Sequence, residues 1–153
     1  MVLNTESSEG LVVWHGNLSG SKKDFLAIAI NDGFPTVTFS LGSGPNAMAG
    51  AARINDGADH LVEVTLQGRT GSIKVDQGKL VVLESKGSED YLEHLGNWHV
   101  GGLQDMETET GGWFQKGFAG CVKSFVLQRR RINFQRDSIK TANLVKFFPV
   151  QYV

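Results

Sequence analysis

Short apolar runs closed by glycine-bearing turns recur along this chain at intervals of roughly 8–12 residues. That spacing suits strands folding back on one another and leaves no window long enough for an amphipathic helix. Gly10-Leu11-Val12-Val13-Trp14 opens the series. Residues 24–31 follow, where Phe25, Ala27 and Ala29 alternate with Leu26, Ile28 and Ile30. Both faces are apolar, the pattern of a strand covered on both sides. Asn31-Asp32-Gly33 reads as a hairpin turn, because an Asp-Gly pair accepts positive φ angles. Val37-Thr38-Phe39-Ser40-Leu41 then returns with period-two alternation. Asn55-Asp56-Gly57 leads into residues 60–66, in which Val62, Val64 and Leu66 share a face. Gln67-Gly68-Arg69 and Asp76-Gln77-Gly78 turn the chain into strands at 70–75 and 80–83. Residues 98–103 and 118–127 read as strands, and the apolar cluster 144–153 as a last one. The Gly- and Ala-rich stretch 42–52 and the acidic stretch 104–110 read as loops.

The fold class implied is all-β, an antiparallel β-sandwich. With 153 residues the chain suits one domain with a full-sized core. We expect that domain over 9–153, with 1–8 a disordered or expression-derived leader. Residues 1–10 are polar and hold no hydrophobic signal core, so a secreted origin requires a mature fragment with an added initiator methionine. The 15 basic and 16 acidic residues nearly cancel, which removes long-range attraction to nucleic acid. No apolar run approaches the roughly 18 residues of a membrane span, so membrane insertion is not expected. The single cysteine, Cys121, cannot form an internal disulfide, and composition alone leaves the compartment open.

Several stretches, taken in order, carry a resemblance. They are Glu9-Gly10-Leu11-Val12-Val13-Trp14, the hairpin from Asp24 to Phe39-Ser40-Leu41-Gly42-Ser43-Gly44, and Ile54-Asn55-Asp56-Gly57 with His60. Trp98-His99-Val100-Gly101-Gly102-Leu103 and Phe118-Ala119-Gly120-Cys121 complete the series. Together they resemble the laminin G-like domains of laminin α chains, agrin, perlecan and neurexin, nearly end to end. The resemblance implies a jelly-roll, concanavalin-like sandwich that works as an extracellular adhesion or receptor-binding module, monomeric as an isolated domain. Asp59 stands where that family usually has an aromatic residue. The family cysteine normally bonds a second one further along the chain; here the partner of Cys121 would lie outside the chain, or the thiol is a plain buried one.

The resemblance also implies a calcium site at one rim of the sandwich. Carried over by position, its ligands are the Asp24 carboxylate, the backbone carbonyls of Leu41 and Tyr91, and Glu93. Calcium takes six to eight hard oxygen ligands, which this set begins to supply. Glu93 departs from the usual Asp or Asn, and Asp90 stands close enough in sequence to substitute.

Arg129-Arg130-Arg131 is the sharpest charge run, with Lys116 and Lys123 nearby in sequence. Arginine's planar fork of donors suits sulfate and carboxylate, so an acidic or sulfated glycan is a candidate partner, and Lys22 and Lys23 would add charge beside Asp24. The alternative is a solvated hairpin turn. Asn17-Leu18-Ser19 is an N-glycosylation sequon. His15, His60, His94 and His99 include no close zinc-type pair, and His60 and His99 read as satisfied structural residues. No phosphate loop, nucleophile elbow or paired catalytic carboxylates appear, so an enzyme is not expected. A structural spacer, or a carrier holding an apolar ligand between its sheets, remains the alternative outside recognition.

Overall fold

The computed structural model of the protein describes residues 1–16, 18, 23–93 and 96–137. In chain order its elements are β1 (Val2–Asn4), β2 (Glu9–Gly16), β3 (Phe25–Asn31), β4 (Phe34–Ser40), β5 (Pro45–Ala49), β6 (Asp59–Gln67), β7 (Thr70–Val75), β8 (Val81–Glu84), β9 (His99–Val100), α1 (Met106–Thr110), β10 (Cys121–Ser124), β11 (Val126–Leu127), β12 (Arg130–Arg131) and α2 (Phe134–Asp137). Two five-stranded sheets form, in the orders β10-β1-β6-β7-β8 and β5-β4-β3-β2-β9, beside the small β11-β12 hairpin. Neighbouring strands pair antiparallel, for example Phe25 with Ser40 and Val62 with Val75. The antiparallel sandwich read from the sequence is therefore the fold.

The inter-sheet core is built from the period-two residues. Leu26, Ile28, Val37 and Phe39 of one sheet meet Val62 and Ile73 of the other. Removing each such side chain from water contributes about 1.5–3 kcal/mol. Gly71 makes room for the largest of them, since a Cβ there would lie 2.7 Å from Phe39 Cε1 and 2.8 Å from Met48 Cε. β3 is buried on both sides as its composition predicts. Its second face joins Leu11, Trp14, Phe25, Ala27 and Ala29 in a separate cluster, covered by Leu103, Met106 and Phe114. The Asp-Gly turn after β3 has φ values of 49° at Asp32 and 78° at Gly33, the positive pair a tight hairpin needs.

The late glycines permit three backbone segments to pack on one another. Gly101 donates to Val12 O (2.8 Å), Phe118 to Gly101 O (2.9 Å) and Leu11 to Lys116 O (2.9 Å). A Cβ on Gly10 or Gly117 would sit 2.7–2.8 Å from a backbone oxygen of the neighbouring segment. Gly10, Gly101 and Gly117 thus mark a crossing point of three backbone segments.

Four expectations change. Residues 2–4 are not a disordered leader: β1 lies inside its sheet between β6 and β10, with Leu3 fully buried. Three residues are too few to show alternation. Residues 42–52 contain β5, whose Met48 reaches the core. The strands expected over 98–103 and 118–127 are shorter, and the second is split at buried Phe125 into β10 and β11. The acidic stretch folds as α1. Asp105 caps it by accepting from Thr108 N (3.0 Å), Glu107 and Glu109 favour the positive end of the helix dipole, and left-handed Gly111 ends it. The apolar cluster 144–153 lies outside the described residues.

Candidate functional site

Strand register decides which of the predicted ligands meet. Phe25 pairs with Ser40, so Asp24 and Leu41 fall one step beyond that pair, facing each other at the open end of the β3–β4 hairpin. Asp24 is 2% exposed although it is a carboxylate at a strand entry. Its Oδ2 accepts from the backbone N–H of Glu93 at 3.4 Å, which brings the loop before β9 onto the same rim. Glu93 is half-buried, and Tyr91, two residues earlier, is 54% exposed. Register and the Asp24–Glu93 bond thus bring Asp24, Leu41 and the Glu93 backbone to one end of the sandwich from three separate segments. Their donors are carboxylate and carbonyl oxygens, which suit a hard cation such as calcium. Among the described residues no group of three His, Cys, Asp or Glu side chains is placed to hold a metal ion, so backbone carbonyls would have to complete such a shell.

The arginine run is divided by its own hairpin. Gln128 and Arg129 occupy the turn between β11 and β12 with φ of 50° and 67°. Arg129 stands at the tip, while Arg130 and Arg131 project to opposite sides of a two-residue strand. Arg130 Nη2 donates to Asp137 Oδ1 at 3.1 Å. Arg136 beside it, and the Asn133 N–H, hold the Asp137 carboxyl down to about 2. Lys116 and Lys123, close in sequence, are engaged elsewhere, with Glu9 at 2.8 Å and with Asp59 at 2.7 Å. The cationic surface that remains is narrower than the sequence suggests, and it centres on Arg129 and Arg131.

His60 is a satisfied residue of its strand, as the sequence reading expects, and His94 lies outside the described residues. His60 lies between two carboxylates, Nδ1 2.8 Å from Asp76 Oδ2 and Nε2 3.0 Å from Asp56 Oδ1. Carboxylates only accept, so both ring nitrogens are best satisfied as donors, and the Asp76 bond raises the His60 pKa above its usual value. His99 forms part of β9. Cys121 opens β10 as a half-buried free thiol opposite Asn4. Lys23 is exposed with φ of 49°. Asn17 and Lys22 lie outside the described residues.

One part of the molecule had no functional expectation attached to it. The segment of α1 and the glycines after it carries Glu109 and Trp113 over the outer face of the β2–β3 pair. The adjacent glycines Gly111-Gly112 before Trp113-Phe114 were the available signal, since such a pair marks a sharp reversal that returns the aromatics to the sheet.

A family model described as the laminin G domain matches residues 3–133. The basement membrane-specific heparan sulfate proteoglycan core protein of Mus musculus is 33% identical over 131 residues, covering 84% of this chain and 4% of that protein. Pikachurin of Homo sapiens is 27% identical over 146 residues, covering 94% of this chain and 14% of that protein. The chain thus spans only a small fraction of the relatives it matches. Among solved structures, the LG1-3 region of the laminin α2 chain superposes with a TM-score of 0.69 at 21% identity, over 78% of this chain and 24% of that one.

Proposed function

Because the chain belongs to the laminin G domain family, we propose that it recognises its partner through the rim carrying Asp24, Leu41, Tyr91 and Glu93, with calcium held there. Laminin G domains are non-enzymatic binding modules of matrix and cell-surface proteins, and this one is extracellular. The partner is an extracellular receptor, matrix protein or acidic glycan. The observation that supports the rim is the meeting of its pieces: strand register sets Asp24 opposite Leu41, and Asp24 accepts from the Glu93 amide. A carboxylate this deeply buried is costly unless its surroundings favour the charged form. Glu93 has one methylene more than the usual Asp or Asn, so its carboxylate would have to fold back to serve as a ligand. A bound calcium ion would supply a fixed positive charge for an acidic group of the partner. Loops held on a rigid sandwich suit such recognition, since they vary without disturbing the core.

Calorimetric titration of calcium into the wild type and Asp24→Ala tests the site. Wild type is expected to bind in the roughly 10⁻⁴–10⁻³ M range of extracellular modules, and Asp24→Ala to give no heat. A flat wild-type trace, or equal traces, overturns it.

A second reading, metal-independent binding of a sulfated glycan, is favoured by the arginine hairpin. Positive φ at two non-glycine residues is strained, and strain of this kind collects at functional positions. Heparin-column retention in chelator measures it. The triple variant Arg129→Ala, Arg130→Ala, Arg131→Ala is expected to elute at lower salt, and unchanged elution ends this reading.

A further inference from the structure

The outer face of the β2–β3 pair holds an open cleft of about 600 Å³, lined by Trp14, Lys23, His99, Thr108, Glu109 and Trp113. We propose that this cleft binds a neutral pyranose, as a terminal sugar of an uncharged glycan, independently of the rim at Asp24. Trp113 leaves 54% of its surface exposed. Its ring nonetheless lies 6.0 Å from that of buried Phe25, which in turn stacks on Trp14 at 5.2 Å. The indole thus leans at 47° against an aromatic cluster and leaves about half of its surface open. The face of an aromatic ring carries negative potential, which suits the C–H bonds on the apolar side of a sugar ring.

The polar lining selects a neutral ligand over an acidic one. Among the described residues of the lining, Lys23 and Glu109 contribute one charge of each sign, so these leave no surplus cation to offset a sulfate or carboxylate. A hydroxyl can do what an anion cannot: donate to Glu109 and accept from Lys23 at the same time. The volume falls within the roughly 300–1,000 Å³ of ligand pockets and exceeds that of one sugar ring.

The cleft is also preformed. Any side chain at Gly16 would strike Trp14 Cζ2 at 2.6 Å and Phe25 Cβ at 2.7 Å, so the glycine keeps the floor open. Fully buried Thr110 accepts from Phe114 N at 3.1 Å through its hydroxyl, and Phe114 sits edge-on to Trp14 at 6.2 Å. These contacts flank Trp113 and hold it over the floor, which lowers the ordering cost of binding.

The test uses methyl glycosides of glucose, galactose, mannose and N-acetylglucosamine, with lactose and maltose, followed by saturation-transfer NMR and tryptophan fluorescence. At least one is expected to saturate with a Kd of roughly millimolar order. Trp113→Ala should weaken it about tenfold or more, Trp113→Phe should retain most of the affinity, and Glu109→Gln should weaken it a few-fold. Chelator should leave it unchanged, which separates this site from the rim. Should Trp113→Ala not fold, the Trp113→Phe and Glu109→Gln pair carries the test. No saturable binding up to roughly 0.1 M overturns the proposal. So does affinity indifferent to Trp113 and Glu109, dependence on calcium, or displacement by heparin.

Discussion

The two faces of the β5-β4-β3-β2-β9 sheet are built by different rules. Its inner face is branched aliphatic and Phe39, meeting a second sheet whose Val62, Ile73 and Val75 obey the same two-residue period. Its outer face is Leu11, Trp14, Phe25 and two alanines, met by one five-residue helix and irregular chain. The inner layer is a frame in which every strand helps specify the next. The outer layer is a cover, fastened at Leu103, Met106 and Phe114, and it leaves Trp113 and Glu109 facing solvent. Packing is therefore concentrated on one side of this sheet and exposed recognition chemistry on the other.

Truncating each layer sharpens that contrast. Phe39→Ala, at a fully buried position, should lower unfolding free energy by about 3–5 kcal/mol. Phe114→Ala, half-buried in the cover, should cost about 1–2 kcal/mol, because the cavity opens to solvent. Urea denaturation followed by far-ultraviolet dichroism measures both. Equal losses would mean that the cover belongs to the same cooperative core, and the distinction would collapse.

The same distinction governs what the sequence discloses. The double-sided burial of β3, the Asp32-Gly33 turn and the one-sided pattern of Val62, Val64 and Leu66 were all legible, because periodicity and turn chemistry are local. β1 was not, since its place depends on pairing with residues near 60 and 122, far away in the chain. α1 was not, because five residues complete barely more than one turn and carry no period. At the rim, hairpin register sets Asp24 opposite Leu41, but sequence could not reveal the Glu93 amide on Asp24. The arginine triplet was visible as charge. Its division by the turn and by Asp137 depends on three-dimensional neighbours.

His60 marks a place where two turns of the frame are joined by charge instead of packing. It links Asp56 of the 55–57 turn to Asp76 at the end of β7, whose Oδ1 also accepts from Leu61 N at 2.7 Å. Asp59, held low mainly by Lys123, adds a further negative neighbour. The bond to Asp76 raises the folded His60 pKa above 6.5. Its stabilisation is therefore fully present below about pH 6.5 and is lost as pH rises through the higher folded value. Asp56 and Asp76 are lowered, chiefly by His60, so their share is present above their ordinary range and is lost on strong acidification. His60→Gln should lower Tm by about 2–4 °C near pH 6, with the gap from wild type closing as pH rises. A gap independent of pH would mean that His60 acts by packing, as the inner face does.

The smallest effect is expected at the β11–β12 turn, where it has the opposite sign. Two-residue hairpin turns with both central φ values positive favour Asn-Gly, yet Gln128 and Arg129 occupy this one. Replacing them by Gln128→Asn and Arg129→Gly should stabilise the protein by about 0.5–1 kcal/mol, the relieved strain being partly offset by glycine's greater freedom when unfolded. Arg130 keeps Asp137, so the rest of the hairpin stays intact. Heparin retention of this variant in chelator separates two meanings of the strain. Greater stability with weaker retention would show that the turn keeps an unfavourable backbone in order to present Arg129. Greater stability with unchanged retention would show that an irregular segment merely tolerates what the paired strands of the frame do not.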